Sequence, residues 1–239
     1  MTITHKRYLF DPATQGRTRI TALGQDDHGR VWCRLQATLF HPQGGGQQAD
    51  RGSIAGIPVL HVAHTDDGDV VHYLASPHGL VVGQAVELEV DAEGRLLNAR
   101  HHTAGHLIAA LVEDAFPSLR AVAGHHWPGQ ARVDFAAEEV TSTDEIRQVL
   151  AAALPRAIGR QLPVRLCGDP LVNRAIAIGD SPPVPCGGTH LEHTGLLGKV
   201  EITKVKSKGN QLRLSYRLEE GSPAGRALGD ELGPWHLER

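Results

Sequence analysis

Two short motifs lie far apart in this chain, and the chemistry of each is incomplete without the other. His102 and His106 flank Thr-Ala-Gly in a run where Leu96, Leu97, Leu107, Ala110 and Leu111 recur at helical spacing. On a helix, positions i and i+4 share a face, so both imidazoles can grip one ion. Alone, such a pair is readily explained by packing or capping. Further on, Cys186 and His190 enclose Gly-Gly-Thr and follow prolines, a pattern for a tight loop that can fold both side chains to one point. One thiolate and three imidazoles suit zinc, which prefers tetrahedral N and S ligands. The chain is therefore expected to fold so that His102, His106, Cys186 and His190 hold a single zinc ion. Four protein ligands favour a closed structural site, whereas catalytic zinc usually keeps a position open. Zinc also expands to five-coordinate, so the ligand count leaves both roles available.

The rest of the sequence bounds what surrounds that ion. Its 239 residues, 41% hydrophobic, suffice for one large or two ordinary domains. No apolar run approaches the roughly eighteen residues of a membrane span, and the first residues lack a signal peptide's apolar stretch, so a cytoplasmic protein with no membrane contact is expected. Three cysteines, Cys33, Cys167 and Cys186, make a disulfide framework improbable. A net charge of -3 means any nucleic-acid face must be local. Of the 15 histidines, His5, His28, His61, His64, His72, His78 and His193 read as surface or loop residues.

Short alternating runs at 31–35, 57–62, 70–74 and 86–90, broken by Gly, Pro and Asp-Asp-Gly, predict a small β-barrel or sandwich. A turn at 91–94 leads into the histidine helix, which Pro117 ends. A strand pair follows through 121–135. Ser142 with Glu145 three residues on forms a capping box for a helix to about 158. Strands at 163–166, 198–205 and 211–218 complete the pattern, the last two joined by a turn at 208–210. From Glu219 onward a short helix or tail is expected. Strands mixed with two helices favour an α+β fold: an N-terminal β-barrel domain over 1–90, then a two-layer α+β domain over 91–239 carrying the zinc site.

The motifs His-Thr-Ala-Gly-His-Leu and Cys-Gly-Gly-Thr-His, in this order, resemble the editing domain of alanyl-tRNA synthetase and its free-standing relatives, the alanyl-tRNA editing proteins. Upstream, 38–52 is similar to that family's glycine-rich motif, around Gly44, Gly45, Gly46 and Gln47. Between the metal motifs, 123–135 is similar to a family strand carrying a histidine, with His125 the match by register. The 194–200 segment also follows the pattern, so the resemblance covers about 31–218. It implies a trans-editing hydrolase that deacylates mischarged alanine tRNA, carrying serine or glycine, by zinc-dependent ester hydrolysis. No synthetase ATP site is visible, so editing without charging is implied. Three departures, Gln36 for an acidic residue, His41 for a common Tyr, and a displaced Gln130, bear on amino-acid preference.

Under this reading zinc activates water, polarises the carbonyl or grips the substrate, and the sequence does not choose among these. His125 is the candidate catalytic group, as proton shuttle or substrate contact. His126 points to the opposite face of a strand, so both do not serve. Thr38 can bond a serine hydroxyl, which would discriminate strongly. Gly44, Gly45, Gly46 and Gln47 form a loop able to lie against the substrate. Lys199, Lys204, Lys206 and Lys208, with Arg213 and Arg217, concentrate positive charge that can hold RNA phosphates. Two other readings stay open: a zinc hydrolase acting on another aminoacyl-tRNA or a small aminoacyl ester, and a non-enzymatic tRNA-binding module with structural zinc.

Overall fold

A computed structural model describes residues 3–76, 79–139 and 141–219; the short helix or tail expected at the C-terminus lies outside them except for Glu219, as does His78. The described chain is mostly β, with a six-stranded closed barrel and two α-helices. In chain order the first strands are β1 (His5–Lys6), β2 (Gln15–Gln25), β3 (Val31–Leu35), β4 (Ala37–Thr38), β5 (Gly52–Ile54), β6 (Ile57–His64), β7 (Val70–Leu74) and β8 (Ala85–Val90). The barrel closes in the order β2-β3-β7-β6-β5-β8, while β1 and β4 pair in parallel beside it. Alternation builds it: in β8, Val86, Leu88 and Val90 point inward while Ala85, Glu87 and Glu89 face water. Ile20, Leu35, Phe40, Ile54 and Val62 fill the interior with them. The runs expected at 31–35, 57–62, 70–74 and 86–90 are strands of this barrel. The long β2 carries no alternation in its sequence, because only Thr18 and Ile20 are buried along it, too few to show a period of two.

After β8 come α1 (Ala92–Ala115), β9 (Leu119–His125), β10 (Arg132–Ala137), α2 (Thr143–Gly159), β11 (Val164–Cys167), β12 (Ala175–Ile178), β13 (Val184–Pro185), β14 (Val200–Lys208) and β15 (Gln211–Leu218). Asp91 caps α1, its carboxylate accepting from Gly94 N at 3.2 Å, and Ser142 caps α2, accepting from Glu145 N at 3.4 Å. An antiparallel sheet in the order β14-β15-β10-β9 packs against both helices, and Leu212, Leu214 and Tyr216 of β15 enter their core. A second small sheet, β11-β12-β13, pairs Ala175 with Pro185 and so delivers the chain at Cys186. The middle of α1 is buried continuously from Asn98 to Gly105, on polar and apolar positions alike, because barrel, sheet and loops all press on it.

The loop between β4 and β5 ties the barrel to α1. Asp50 is fully buried and receives Arg95 Nε at 3.0 Å, while His41 N donates to Asp50 Oδ2 at 2.5 Å. Arg95 also donates to Leu39 O at 2.6 Å. A buried ion pair survives only when its remaining donors and acceptors are satisfied, as these are.

Candidate metal centre

The two distant dyads meet. Donor atoms of His102, His106, Cys186 and His190 all lie within 4.8 Å of one another, so the cluster could hold a metal ion. Cys186 Sγ stands 3.5 Å from His102 Nε2 and 3.2 Å from His190 Nε2. Ligands of a tetrahedral cation with bonds of about 2.0–2.3 Å sit roughly 3.3–3.6 Å apart, which matches these edges. The donors come from the buried flank of α1 and from the loop after β13, as their spacing predicted.

What turns each ring toward the nest is a set of hydrogen bonds from behind. His102 Nδ1–H donates to Gln47 Oε1 at 2.8 Å, which leaves Nε2 facing Cys186. The same oxygen accepts from Thr189 N at 2.9 Å, and Gln47 Nε2 donates to Thr189 Oγ1 at 2.9 Å. Thus one buried amide fixes a tautomer and pins the cysteine loop to the barrel. Thr103 Oγ1 lies 3.4 Å from His190 Nδ1 and accepts from Leu191 N at 3.0 Å. Gly188 is required for the approach: a Cβ there would fall 2.1 Å from His102 Nδ1. Cys186 Sγ also accepts from Gly188 N at 3.4 Å.

Burial dominates the electrostatics. It pushes His102 and His190 well below the ordinary imidazole value, with neighbouring histidines adding to the shift, and it lowers His106 to about 4 with help from Arg174. The same burial raises the Cys186 thiol, opposed by the Gly188 amide and by Arg174. Arg174 is buried, donating through Nε to Leu9 O at 2.7 Å and to the carbonyl of Cys186. Neutral imidazoles are what a cation needs as ligands.

The other expected residues are placed unevenly. Gln47 reaches the centre, but from behind a ring. The Gly44–Gln47 turn lies beside β9, where Gly46 O accepts from His126 N at 2.8 Å. Thr38 is fully buried, and its Oγ1 bonds His72 Nε2 at 2.8 Å and accepts from Phe40 N at 3.1 Å. His72, read from sequence as surface or loop, is a correction: it sits inside the barrel at 0% exposure because β7 turns it toward Cys33 and Thr38. His125 is half-buried with its ring 4.8 Å from Trp127, whereas the neighbouring His126 is buried with its ring 4.6 Å from His102. Nothing in the sequence marks Thr103, Thr189, His126, Tyr216 or Arg174 as neighbours of the site. Glycines inside the two motifs, Gly105 and Gly188, are the sequence signal that rings pack closely there.

Lys204, Lys206 and Lys208 are exposed on β14, an edge strand, and make no ion pair among the described residues. Close approach of Lys206 lowers the pKa of Lys204, a sign of concentrated positive charge. Lys199 is paired with Glu219, Arg213 with Asp134 and Arg217 with Glu201.

A β-barrel whose glycine turn borders a buried His/Cys nest defines a protein organised around one prospective metal centre. Comparison with known proteins narrows this. Residues 173–214 match the threonyl and alanyl tRNA synthetase second additional domain. The alanyl-tRNA editing protein AlaX-M of Pyrococcus horikoshii is 30% identical over 190 residues, covering 77% of this chain and 86% of that protein. AlaX-M of Saccharolobus solfataricus is 28% identical over 204 residues, with 76% and 86% covered. The alanine–tRNA ligase of Carboxydothermus hydrogenoformans is 29% identical over 228 residues, 82% of this chain but only 25% of the ligase. The chain belongs to the family of alanyl-tRNA editing proteins. It spans most of the length of the free-standing relatives and about a quarter of that ligase. No helix of the described residues is long and apolar enough to cross a membrane.

Proposed function

We propose that this protein is a trans-editing hydrolase of the cytoplasm that deacylates alanine tRNA mischarged with serine or glycine. The observation that carries the reading is the convergence of His102, His106, Cys186 and His190 beside the glycine turn of the barrel, in a chain similar to editing proteins over most of their length. The donor types suit one zinc ion, and the two separations from Cys186 Sγ support it. Bound zinc supplies Lewis acidity for attack on the aminoacyl ester.

The chain's own residues do the rest. Gln47 holds His102 in the tautomer that presents Nε2, and Thr103 stands behind His190. Gly44, Gly45 and Gly46 would form the wall along which the aminoacyl end lies, their lack of side chains allowing close approach. We keep His125 as a substrate contact or proton shuttle at the rim; its Nε2 is enclosed without a hydrogen-bond partner, which supports a place beside substrate. A serine contact at Thr38 requires exchanging its bond to His72 for one to the substrate. Lys204, Lys206 and Lys208, with Lys199 at the strand's start, would hold acceptor-stem phosphates. We read 1–90 and 91–239 as the two domains, a barrel and a two-layer α+β unit, supported by their separate apolar clusters.

Purified protein should release serine from serine-charged alanine tRNA, lose that activity to a strong chelator and regain it with zinc. Release unaffected by metal removal, or none at all, would falsify the reading.

A further inference from the structure

His126 stands beside the nest without belonging to its four donors. Its ring lies 4.6 Å from that of His102 at an interplanar angle of 22°, and 6.4 Å from that of His106. Behind it, Tyr216 OH donates to His101 O at 2.7 Å. With its proton committed, the tyrosine oxygen can only accept, so His126 Nδ1–H donates to it at 2.8 Å. That leaves the lone pair on Nε2. Two glycines make room for the ring: a Cβ on Gly105 would fall 2.2 Å from its Cε1, and one on Gly124 2.3 Å from its Nε2. The His126 amide donates to Gly46 O, and a Cβ on Gly46 would fall 3.1 Å from the His126 Cδ2, so the ring edge carrying Nε2 lies where the glycine turn meets β9.

We infer that His126 Nε2 is the acceptor that recognises the α-amino group of the aminoacyl ester, a specificity-determining contact resting on the deacylase reading above. The α-nitrogen lies two bonds from the scissile carbonyl carbon, so an acceptor next to the cation site is suitably placed for it. It is also the donor that every aminoacyl ester carries, whatever its side chain. Abstracting a proton from water would instead turn His126 into an imidazolium beside a bound cation, whereas accepting a hydrogen bond leaves the ring neutral. An acceptor fixed on a buried ring rejects a ligand lacking the matching donor, because the polar atom is left unpaired.

Two non-hydrolysable probes test this by calorimetry on the metal-loaded protein: adenosine bearing a 3′-linked serine amide, and the same compound with 3-hydroxypropionyl in place of seryl, which lacks only the amino group. The wild type should bind the seryl probe at least about tenfold more tightly, the scale expected for one matched polar contact. His126→Asn keeps a donor toward Tyr216 but has no atom at Nε2, and should reduce that preference to within about twofold. His126→Gln, which places an amide oxygen near the Nε2 position, should restore part of it. Tyr216→Phe frees the tautomer and should give an intermediate preference, a second reading if His126→Asn folds poorly. In deacylation of serine-charged tRNA, His126→Asn should raise KM more than it lowers kcat, with bound metal unchanged. A preserved preference in His126→Asn, or a fall in kcat alone, overturns the inference. Wild-type protein that binds the two probes equally also overturns it, and wild-type protein that binds neither sinks the deacylase reading as well.

Discussion

Two buried histidines, one in each half of the molecule, show how burial alone differs from a site. His72 lies inside the barrel with both nitrogens satisfied by protein: Nδ1–H donates to Cys33 O at 3.3 Å and Nε2 accepts from Thr38 Oγ1 at 2.8 Å. His102 lies on α1 with one nitrogen held by Gln47 and the other turned toward Cys186. Burial lowers the pKa of both, His72 to about 4 and His102 well below the ordinary value. A depressed pKa therefore does not separate them. The partner does: His72 Nε2 meets a lone hydroxyl, whereas His102 Nε2 meets a thiol that converges with two further imidazoles, the donor set of a cation.

The largest effect should come from cutting the link between the halves. Arg95→Ala leaves the Asp50 carboxylate buried without its cation and should cost about 3–5 kcal/mol in denaturant unfolding. A loss under 1 kcal/mol would mean that the two halves do not depend on this contact.

Next comes acid sensitivity. His72 has a folded pKa near 4, below its unfolded value, so its contribution is complete above about pH 6.5 and disappears as pH falls toward 4. The unfolded chain takes up the proton in that window and the folded barrel does not. The loss should reach about 3 kcal/mol at the acid end, and His72→Gln should flatten the stability profile there. An unchanged profile would show that the closed bonding of His72 is not maintained in solution.

For His102 the measurable quantity is metal. Gln47→Ala removes the acceptor behind His102 and should weaken zinc binding about 10–100-fold in chelator competition. Equal affinity would remove the distinction drawn between the two rings. The mildest change is at the surface, where Lys204→Ala and Lys206→Ala should each lower the salt dependence of tRNA binding by about one counterion.

Much of this was legible in the chain itself. Helical spacing around His102 and His106, and glycines between Cys186 and His190, announced a four-donor cluster, because metal coordination restricts residue type and local spacing tightly. Strands with strict alternation, such as β8, announced a barrel for a similar reason: one face needs apolar atoms and the other water. Where the pattern was carried by only two buried residues, as in β2, nothing local marked the strand.

Sequence by itself determined which atoms could share an ion, since ligand chemistry is written in residue identity. Only the tertiary structure decided which neighbours orient those atoms. Gln47 turned out to stand behind His102, His126 and not His125 turned its ring to the nest, and Thr38 closed on His72. Those outcomes depend on contacts between segments far apart in the chain and on the hand of a single strand residue. A hydrogen bond needs positions defined to a fraction of an ångström, which only the packed core supplies.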